Sequence, residues 1–374
     1  MAGIYIHIPF CHNRCLYCNF YSTVGLQHWH SRYMNAIDRE LRMRSEYINK
    51  ECVRTIYIGG GTPSTLHPTL LKQLASSIKD VYHLQAADIK EFTMECNPDD
   101  ITEYYVKEIV SIGINRVSLG VQSFSDDRLR FLGRRHNAQQ VHDAVQILRK
   151  FQIKNISIDL IFGFPNESIN EWEYDIDNAI ELDVEHISAY SLMYENGTAL
   201  HKMLKDGVIT ECDEAVSKNM YDMLIDRLCK AGYEQYEISN FAKPNYRSLH
   251  NSGYWNDSKY LGIGAAAHSY NGNSRQWNVS NIDKYIKDIE NGQIPAEIEL
   301  IDPITHYNDT ITTALRTSDG INLSTLQEPY KSYIIANARK NIANDNLRIV
   351  NNRLMLTRQG LYVSDDIMSD LIWV

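Results

Sequence analysis

Three cysteines stand close together near the start of the chain. Cys11, Cys15 and Cys18 lie in the segment PFCHNRCLYCNF (9–20). Thiolates are soft ligands that bind zinc, copper(I) or iron–sulfur clusters. A structural zinc site takes four ligands, and His12 is available beside the first cysteine. A cubane cluster bound by three cysteines would instead leave one iron open to a further ligand. Three cysteines buried among apolar side chains would need no metal.

Two further segments carry groups that could contact a ligand. GGGTP (59–63) follows an apolar run, and glycines there allow positive φ and a close approach of the backbone to a ligand. In MECNPDD (94–100), Glu95 stands at the end of another run, where its carboxylate could accept hydrogen bonds from a ribose or an amino group. Without a ligand, these would be a glycine turn and an exposed carboxylate.

Three polar residues stand at or inside later apolar runs. Gln122 follows RVSLGV, Arg134 comes twelve residues later, and Asp159 interrupts the apolar run SIDLIFGF. A buried aspartate is costly unless it is paired or binds a ligand. Taken alone, Arg134 would be a surface ion-pair partner.

The elements that must position these residues follow a regular alternation. Apolar, β-branched runs predict strands at 3–8, 55–59, 90–97, 114–121, 155–163 and 186–192. Amphipathic patterns predict helices at 28–50, 67–83, 102–112, 137–150, 168–183 and 213–231. Six strands alternating with helices predict a parallel α/β fold, either open or closed into a barrel. The polar signals follow the strands, at the edge where such folds build their sites.

The chain divides into three predicted units. Residues 1–240 form the α/β barrel, and 241–299, rich in Tyr, Asn and Gly, form a connecting region that completes the site. Residues 300–374 predict a small winged-helix-like α+β module with a hairpin turn at Asn351-Asn352. Because this module has seven Lys/Arg and eight Asp/Glu, we expect it to pack against the barrel rather than bind DNA.

Bulk composition excludes several classes of protein. A net charge of −10 argues against non-specific binding to nucleic acid or to anionic membranes. No apolar run has the length of a transmembrane helix, and the start of the chain predicts neither a signal nor a transit peptide. Four scattered cysteines beside the cluster of three indicate free thiols rather than disulfides, so we expect a reducing cytoplasm.

The cysteine spacing, with Tyr17 before the third cysteine, resembles the radical S-adenosylmethionine (SAM) superfamily. Nearly the whole chain is similar to its coproporphyrinogen III oxidase/HemW branch. The resemblance implies a partial (β/α)6 radical SAM barrel, a [4Fe-4S] cluster on Cys11, Cys15 and Cys18, and SAM on the open iron. It implies SAM contacts from Tyr5, Tyr17, Gly60, Gly61, Thr62 and Glu95, and second-SAM contacts from Gln122, Arg134 and Asp159.

Members of this branch have two different functions. One is the radical oxidation of coproporphyrinogen III propionates to vinyls. The other is a haem chaperone, which binds haem and passes it to respiratory acceptor proteins, with an electron donor for the cluster. A radical enzyme with another substrate is a third hypothesis, and whether SAM is cleaved stays open.

Three features favour the chaperone. The oxidase motif continues to a fourth cysteine where this chain has Phe20, and the oxidase has a longer N-terminal extension. HNSGYW (250–255) and YEISNFA (236–242) resemble elements of the HemW type. Imidazole is a common haem ligand, so His250 is the predicted axial ligand, although a histidine beside aromatic residues also occurs as a packed side chain.

Overall fold

The computed structural model describes residues 2–48 and 51–374. Its strands, in chain order, are β1 (Ala2–Ile8), β2 (Phe10–Cys11), β3 (Thr23–Val24), β4 (Val53–Gly60), β5 (Glu91–Cys96), β6 (Arg116–Gln122), β7 (Asn155–Phe162), β8 (His186–Ser191), β9 (Glu234–Glu237), β10 (Asn240–Ala242), β11 (Lys259–Ile263), β12 (His268–Tyr270), β13 (Ser274–Asn278), β14 (Ala296–Leu300), β15 (Ile321–Asn322), β16 (Leu347–Val350) and β17 (Arg353–Leu356). Its helices are α1 (His30–Met43), α2 (Pro68–Tyr82), α3 (Glu103–Ile112), α4 (Asp126–Leu132), α5 (Ala138–Lys150), α6 (Ile169–Glu181), α7 (Ala199–Lys205), α8 (Glu214–Lys230), α9 (Leu249–Trp255), α10 (Ile282–Glu290), α11 (Pro303–Ala314), α12 (Tyr330–Ala343), α13 (Arg358–Leu361) and α14 (Ser364–Leu371).

One large mixed sheet forms the frame of the molecule. Its strand order is β14-β13-β12-β11-β1-β4-β5-β6-β7-β8-β10-β9. The strands from β11 to β8 run parallel, whereas the strands at both edges are antiparallel. All six predicted strands are present, and the predicted parallel α/β fold is confirmed. The ends of the sheet, β14 and β9, are not neighbours in this order, so the barrel is partial.

The connecting region is part of this sheet rather than an addition to it. β11 pairs in parallel with β1 and is therefore a seventh parallel strand, which the sequence analysis did not predict. The predicted boundary at 240/241 lies inside β10. The region 241–299 thus contributes to both edges of the sheet. It supplies most of β10 at one edge, and β11, β12, β13 and most of β14 at the other.

Side chains alternate along the parallel strands. In β1, Ile4, Ile6 and Ile8 are fully buried in the apolar core shared with the surrounding helices. The intervening Tyr5 is in register with Tyr57 of β4, and both face the barrel interior. The apolar core therefore lies between sheet and helices, while the interior of the barrel is lined mainly by polar groups and glycines.

Helix α9 closes the amino end of the barrel. Its first turn is held by Glu91 at the start of β5, whose carboxylate accepts hydrogen bonds from the backbone N–H groups of Leu249 (2.8 Å) and His250 (2.9 Å). Ser248 caps the helix through a hydrogen bond from the backbone N–H of Asn251 at 3.3 Å. The carboxyl end of the barrel is left for the loops that carry the predicted site.

The C-terminal module has its own small core. It consists of helices around the antiparallel sheet β15-β17-β16, as predicted for a winged-helix-like α+β unit. Asn351 (φ 48°) and Asn352 (φ 61°) form the predicted hairpin turn between β16 and β17. The module packs against the barrel: Arg358 forms ion pairs with Asp222 and Asp226 of α8. In the described part of the chain, no helix is both long and apolar enough to cross a membrane.

Candidate functional site

The cysteine loop follows β1 at the carboxyl end of the barrel. Cys11 ends β2, which pairs with β3, and the backbone N–H of Cys18 donates to the carbonyl of Cys15 at 3.2 Å. Leu16 anchors the loop through backbone hydrogen bonds to Leu132 (3.1 Å) and Leu200 (2.9 Å). All three cysteines stay partly exposed. The loop is therefore fixed by its neighbours while its thiols remain partly accessible.

Two side chains from other loops contact these sulfurs. The Thr62 hydroxyl donates to Cys11 Sγ at 3.4 Å, and Arg134 Nη1 donates to Cys15 Sγ at 3.5 Å. Donors of this kind stabilise a thiolate more than a thiol. Burial nevertheless raises the pKa of the Cys11 and Cys18 thiols above the ordinary value, so binding of a metal or cluster there must release protons.

The donor chemistry of the loop fits an iron–sulfur cluster. Cys11, Cys15 and Cys18 are free cysteines with soft sulfur ligands, and each would bind a different iron of a cubane.

The glycine loop after β4 leaves no room for side chains. Gly60 has φ +111°, and a Cβ added there would lie 2.6 Å from the His7 ring. A Cβ on Gly61 would lie 3.0 Å from Cys11 Sγ and 2.9 Å from the carbonyl oxygen of Ile8. The backbone N–H of Gly61 donates to that carbonyl at 2.8 Å. The loop is thus bonded directly to the cysteine segment, so the two predicted motifs form one surface.

Glu95 is held beside the glycine loop. Its carboxylate accepts hydrogen bonds from the Tyr57 hydroxyl (2.7 Å) and the backbone N–H of Gly60 (3.0 Å). Burial raises the pKa of Glu95 to about 7, and the charge of Asp159 adds to this effect. The carboxyl group is therefore fixed in place and can change its protonation state near neutral pH.

The three later predicted residues meet in the same place. Gln122 lies at the end of β6 in the left-handed conformation (φ 72°), where the pairing with β7 is irregular. Arg134 extends from the loop after α4 and donates to Asn97 Oδ1 and to the Gly120 carbonyl as well as to Cys15. Burial raises the pKa of Asp159 to about 6. A strained backbone position and two half-buried charged groups at one point are typical of a ligand site.

One cavity of about 400 Å³ connects these groups. The predicted residues that line it are Cys11, Cys15, Tyr17, Cys18, Gly60, Gly61, Thr62, Glu95, Gln122, Arg134 and Asp159. Residues far apart in the sequence are thus gathered at the carboxyl end of the barrel, as the parallel fold requires.

Tyr5 and His250 lie outside this lining. The Tyr5 hydroxyl is hydrogen-bonded to His7 Nδ1 at 3.0 Å, and its ring is 6.5 Å from that of His250. His250 Nδ1 is bonded to the Thr55 hydroxyl and Nε2 to the Tyr254 hydroxyl, both at 2.9 Å. Burial lowers the pKa of His250 to about 3, so the ring is neutral. Neither nitrogen is presented to a ligand, and haem ligation by His250 stays a prediction that the structure does not support.

Comparison with known proteins agrees with this geometry. Residues 5–179 match the model of the radical SAM superfamily. The "Heme chaperone HemW" of Bacillus subtilis (strain 168) is 34% identical over 331 residues, which are 88% of this chain and 87% of the relative. The protein of the same name from Lactococcus lactis is 32% identical, over 96% of this chain and 93% of the relative. The chain belongs to the HemW family of radical SAM proteins.

A solved structure shows the same architecture as this HemW-family chain. Coproporphyrinogen III oxidase (HemN) from Escherichia coli superimposes with a TM-score of 0.86, covering 99% of this chain and 90% of that one. Sequence identity is 20%, so this likeness concerns the fold alone. It confirms the predicted partial radical SAM barrel together with the C-terminal module.

Several lining residues of this HemW-family site were missed by the sequence analysis. Tyr57, Arg116, Ser118 and Ser157 all face the cavity from inside the barrel. The signal was present, because each stands in a strand where polar and apolar residues alternate, as in RVSLGV (116–121). These runs were interpreted as continuously apolar, which hid their inward-facing polar positions.

Proposed function

We propose that this chain is a haem chaperone that binds haem together with a SAM-liganded [4Fe-4S] cluster and transfers haem to acceptor proteins such as respiratory enzymes. The observation that carries the proposal is identity of 34% and 32% to two proteins named as heme chaperones, over at least 87% of each of them. Similarity along that whole length includes both the barrel and the C-terminal module.

The cofactor residues have separate tasks in this proposal. Cys11, Cys15 and Cys18 would hold three irons, and the backbone of Gly60 and Gly61 would lie against SAM on the open iron. When bound, such a cluster and SAM supply one-electron reductive cleavage of the sulfonium. Glu95 would accept hydrogen bonds from the ligand, because its carboxylate is already oriented by two donors.

The position after the third cysteine supports the chaperone over the oxidase. Phe20 occupies the place where the oxidase motif has a fourth cysteine, and its side chain is 64% exposed at the mouth of the cavity. Met193, another residue of the cavity lining, is 59% exposed. Apolar side chains on a cavity lining are suited to contact a ligand. An apolar mouth suits a flat macrocycle, so we propose that haem binds at this end of the barrel.

The test separates the two activities in one preparation. The chain is reconstituted anaerobically with iron and sulfide, and haem binding is titrated by absorbance. Transfer is followed to an apo-haemoprotein. Coproporphyrinogen III turnover is assayed in parallel with SAM and a strong reductant.

The proposal expects about one haem per chain, transfer to the acceptor, and no protoporphyrinogen. Turnover at an ordinary enzymatic rate of roughly 1 per second, without haem binding, would replace the chaperone by the oxidase. The reducing cytoplasm, which keeps the thiols free, is the proposed location.

A further inference from the structure

Arg116 is a buried guanidinium at the floor of the cavity. It is the first residue of β6 and is 1% exposed, yet it lines the cavity together with Asn251 from the helix that closes the barrel. Thr93 of β5 and Asn155 of β7 are its register partners on the two neighbouring strands. Partners in register point to the same face of a sheet, so these three side chains share one layer of the barrel interior.

This layer contains unpaired polar atoms. Nε and Nη1 of Arg116, the Thr93 hydroxyl and Oδ1 of Asn155 are buried and have no hydrogen-bond partner among the described residues. A buried polar group without a hydrogen-bond partner destabilises the folded protein, and a buried charged group does so more strongly. Such a layer is therefore expected to be completed by something that the chain itself does not supply.

Arg44 shows that the chain can satisfy a buried guanidinium when its role is structural. Arg44 is 4% exposed and forms an ion pair with Glu40 at 3.1 Å. It also donates to the Gly262 carbonyl (3.1 Å), the Ser269 hydroxyl (3.1 Å) and Gln276 Oε1 (2.8 Å). Arg116, in the same barrel and buried at least as deeply, has none of these bonds in the described residues.

The acids around Arg116 do not pair with it. In the described residues no carboxylate lies within ion-pair distance of its guanidinium, although its charge lowers the pKa values of Glu95 and Asp159. Burial outweighs that effect and raises the pKa of Glu95 to about 7 and that of Asp159 to about 6. Small side chains, Ser118 and Ser157, also line the cavity, and the Ser157 hydroxyl is bonded to His186 Nδ1 at 2.7 Å. The floor thus offers a cation and room.

We propose that Arg116 forms a subsite at the barrel floor that binds a carboxylate group of a ligand. A guanidinium presents a planar fork of N–H donors that matches a carboxylate. Two sources have this chemistry. One is the methionyl carboxylate of a SAM molecule that does not chelate the cluster, and the other is a haem propionate; only the second rests on the proposed function.

The test compares ligands with and without the carboxylate. Cluster-reconstituted full-length protein is titrated with SAM and decarboxylated SAM, and with haem and haem dimethyl ester. The variants are Arg116→Met, which removes the charge, and Arg116→Lys, which keeps it. Decarboxylated SAM also lacks the carboxylate that would chelate the cluster. This loss lowers the affinity of wild type and variants equally, so it cancels when their affinities are compared.

For at least one ligand pair, Arg116→Met should weaken binding of the ligand that carries the carboxylate at least tenfold, which corresponds to about 1.4 kcal/mol. Binding of the carboxylate-free partner should weaken less than about twofold. Arg116→Lys should lie between wild type and Arg116→Met. A selective loss with the SAM pair identifies the aminocarboxylate, and a selective loss with the haem pair identifies the propionate. Equal loss, or no loss, in both pairs overturns the subsite and leaves ordered water as its occupant.

The unfolding temperature of the ligand-free protein distinguishes a ligand-binding arginine from a structural one. Replacing a structural arginine would lower this temperature. Without SAM or haem, Arg116→Met should unfold at the same temperature as wild type or higher, because it removes an unpaired buried charge. The matched control Arg44→Met should unfold at a lower temperature. A ligand-free Arg116→Met that is less stable than wild type overturns the proposal. Failure of wild type to bind haem contradicts the chaperone function alone, since the SAM pair still tests the subsite.

Discussion

The polar groups around α9, at the amino end of the barrel, and those at its carboxyl end differ in their hydrogen bonding and exposure. At the amino end, Glu91 accepts hydrogen bonds from the first turn of α9, and both ring nitrogens of His250 are bonded to hydroxyls. At the carboxyl end, Cys11, Cys15 and Cys18 are partly exposed and face a cavity. The contacts of α9 at the amino end therefore stabilise the barrel, whereas the carboxyl end presents groups to a ligand, as in other barrels of parallel strands.

The largest expected effect concerns the carboxyl end. Replacing any one of Cys11, Cys15 or Cys18 by Ala should abolish the iron–sulfur chromophore after anaerobic reconstitution, because each cysteine would hold a different iron of the cluster. Iron, acid-labile sulfide and absorbance measure the outcome. Cys229→Ala, at an exposed cysteine on α8, is the control and should keep full iron. Native protein with stoichiometric zinc and no sulfide would contradict this assignment.

The amino end should respond with a loss of stability instead. In Glu91→Gln an amide replaces the carboxylate that accepts hydrogen bonds from two backbone N–H groups and the Ser248 hydroxyl. We expect the free energy of unfolding to fall by about 2–4 kcal/mol, since buried donors are left poorly paired. Urea denaturation measures this loss, and the iron content of the folded protein should not change.

An exposed glutamate provides the matched control for this variant. Glu234→Gln changes a residue that forms a 3.6 Å ion pair with Arg247 at the surface, so its effect should stay below about 0.5 kcal/mol. If Glu91→Gln were equally mild, α9 would not be the structural closure that its hydrogen bonds indicate.

The sequence predicted the frame of the barrel and its carboxyl end well. The six strands were found because each is an apolar run between helical patterns, and the motif residues were found because the strand ends bring them together. β11 was missed because KYLGI is short and lies in a polar, glycine-rich stretch. Its strand character comes from pairing with β1, which is a tertiary effect that no local pattern contains.

The interior of the barrel was predicted less well. Haem ligation by His250 stays a prediction, and the sequence around His250 does not reveal that the Thr55 hydroxyl, 195 residues away, is bonded to its Nδ1. Arg116 was overlooked inside a run that was interpreted as apolar. In both cases the decisive information is which residues face each other across the barrel, and that depends on strand register rather than on residue type.

The pH dependence of stability distinguishes the two ends further. A carboxyl group whose pKa is raised on folding binds more protons in the folded than in the unfolded state, so stability falls as pH rises. For Glu95 the window runs from its ordinary pKa near 4.5 to about 7. Because the cavity admits solvent, we expect a loss of about 1–2 kcal/mol across it in SAM-free protein.

Substitution of Glu95 identifies its share of this dependence. Glu95→Gln should reduce the fall of the urea midpoint with pH between about 5 and 7, and wild-type SAM affinity should rise over the same window as the carboxylate ionises. An identical pH dependence in Glu95→Gln and wild type would show that Glu95 does not titrate in this window.

The smallest expected effect tests His250 directly. Tyr254→Phe removes the hydroxyl that is bonded to His250 Nε2 at 2.9 Å and leaves the ring otherwise packed against Tyr57. We expect a loss of about 1 kcal/mol in the free energy of unfolding, which is typical of one buried hydrogen bond. Haem affinity and the Soret band should stay unchanged, because the freed nitrogen still lies in the closed end of the barrel. If His250 were the axial ligand, release of Nε2 from its hydroxyl partner would instead strengthen haem binding and shift the band. Absorbance titration of Tyr254→Phe beside wild type therefore shows whether His250 closes the barrel or binds haem. The histidine itself is retained in this variant.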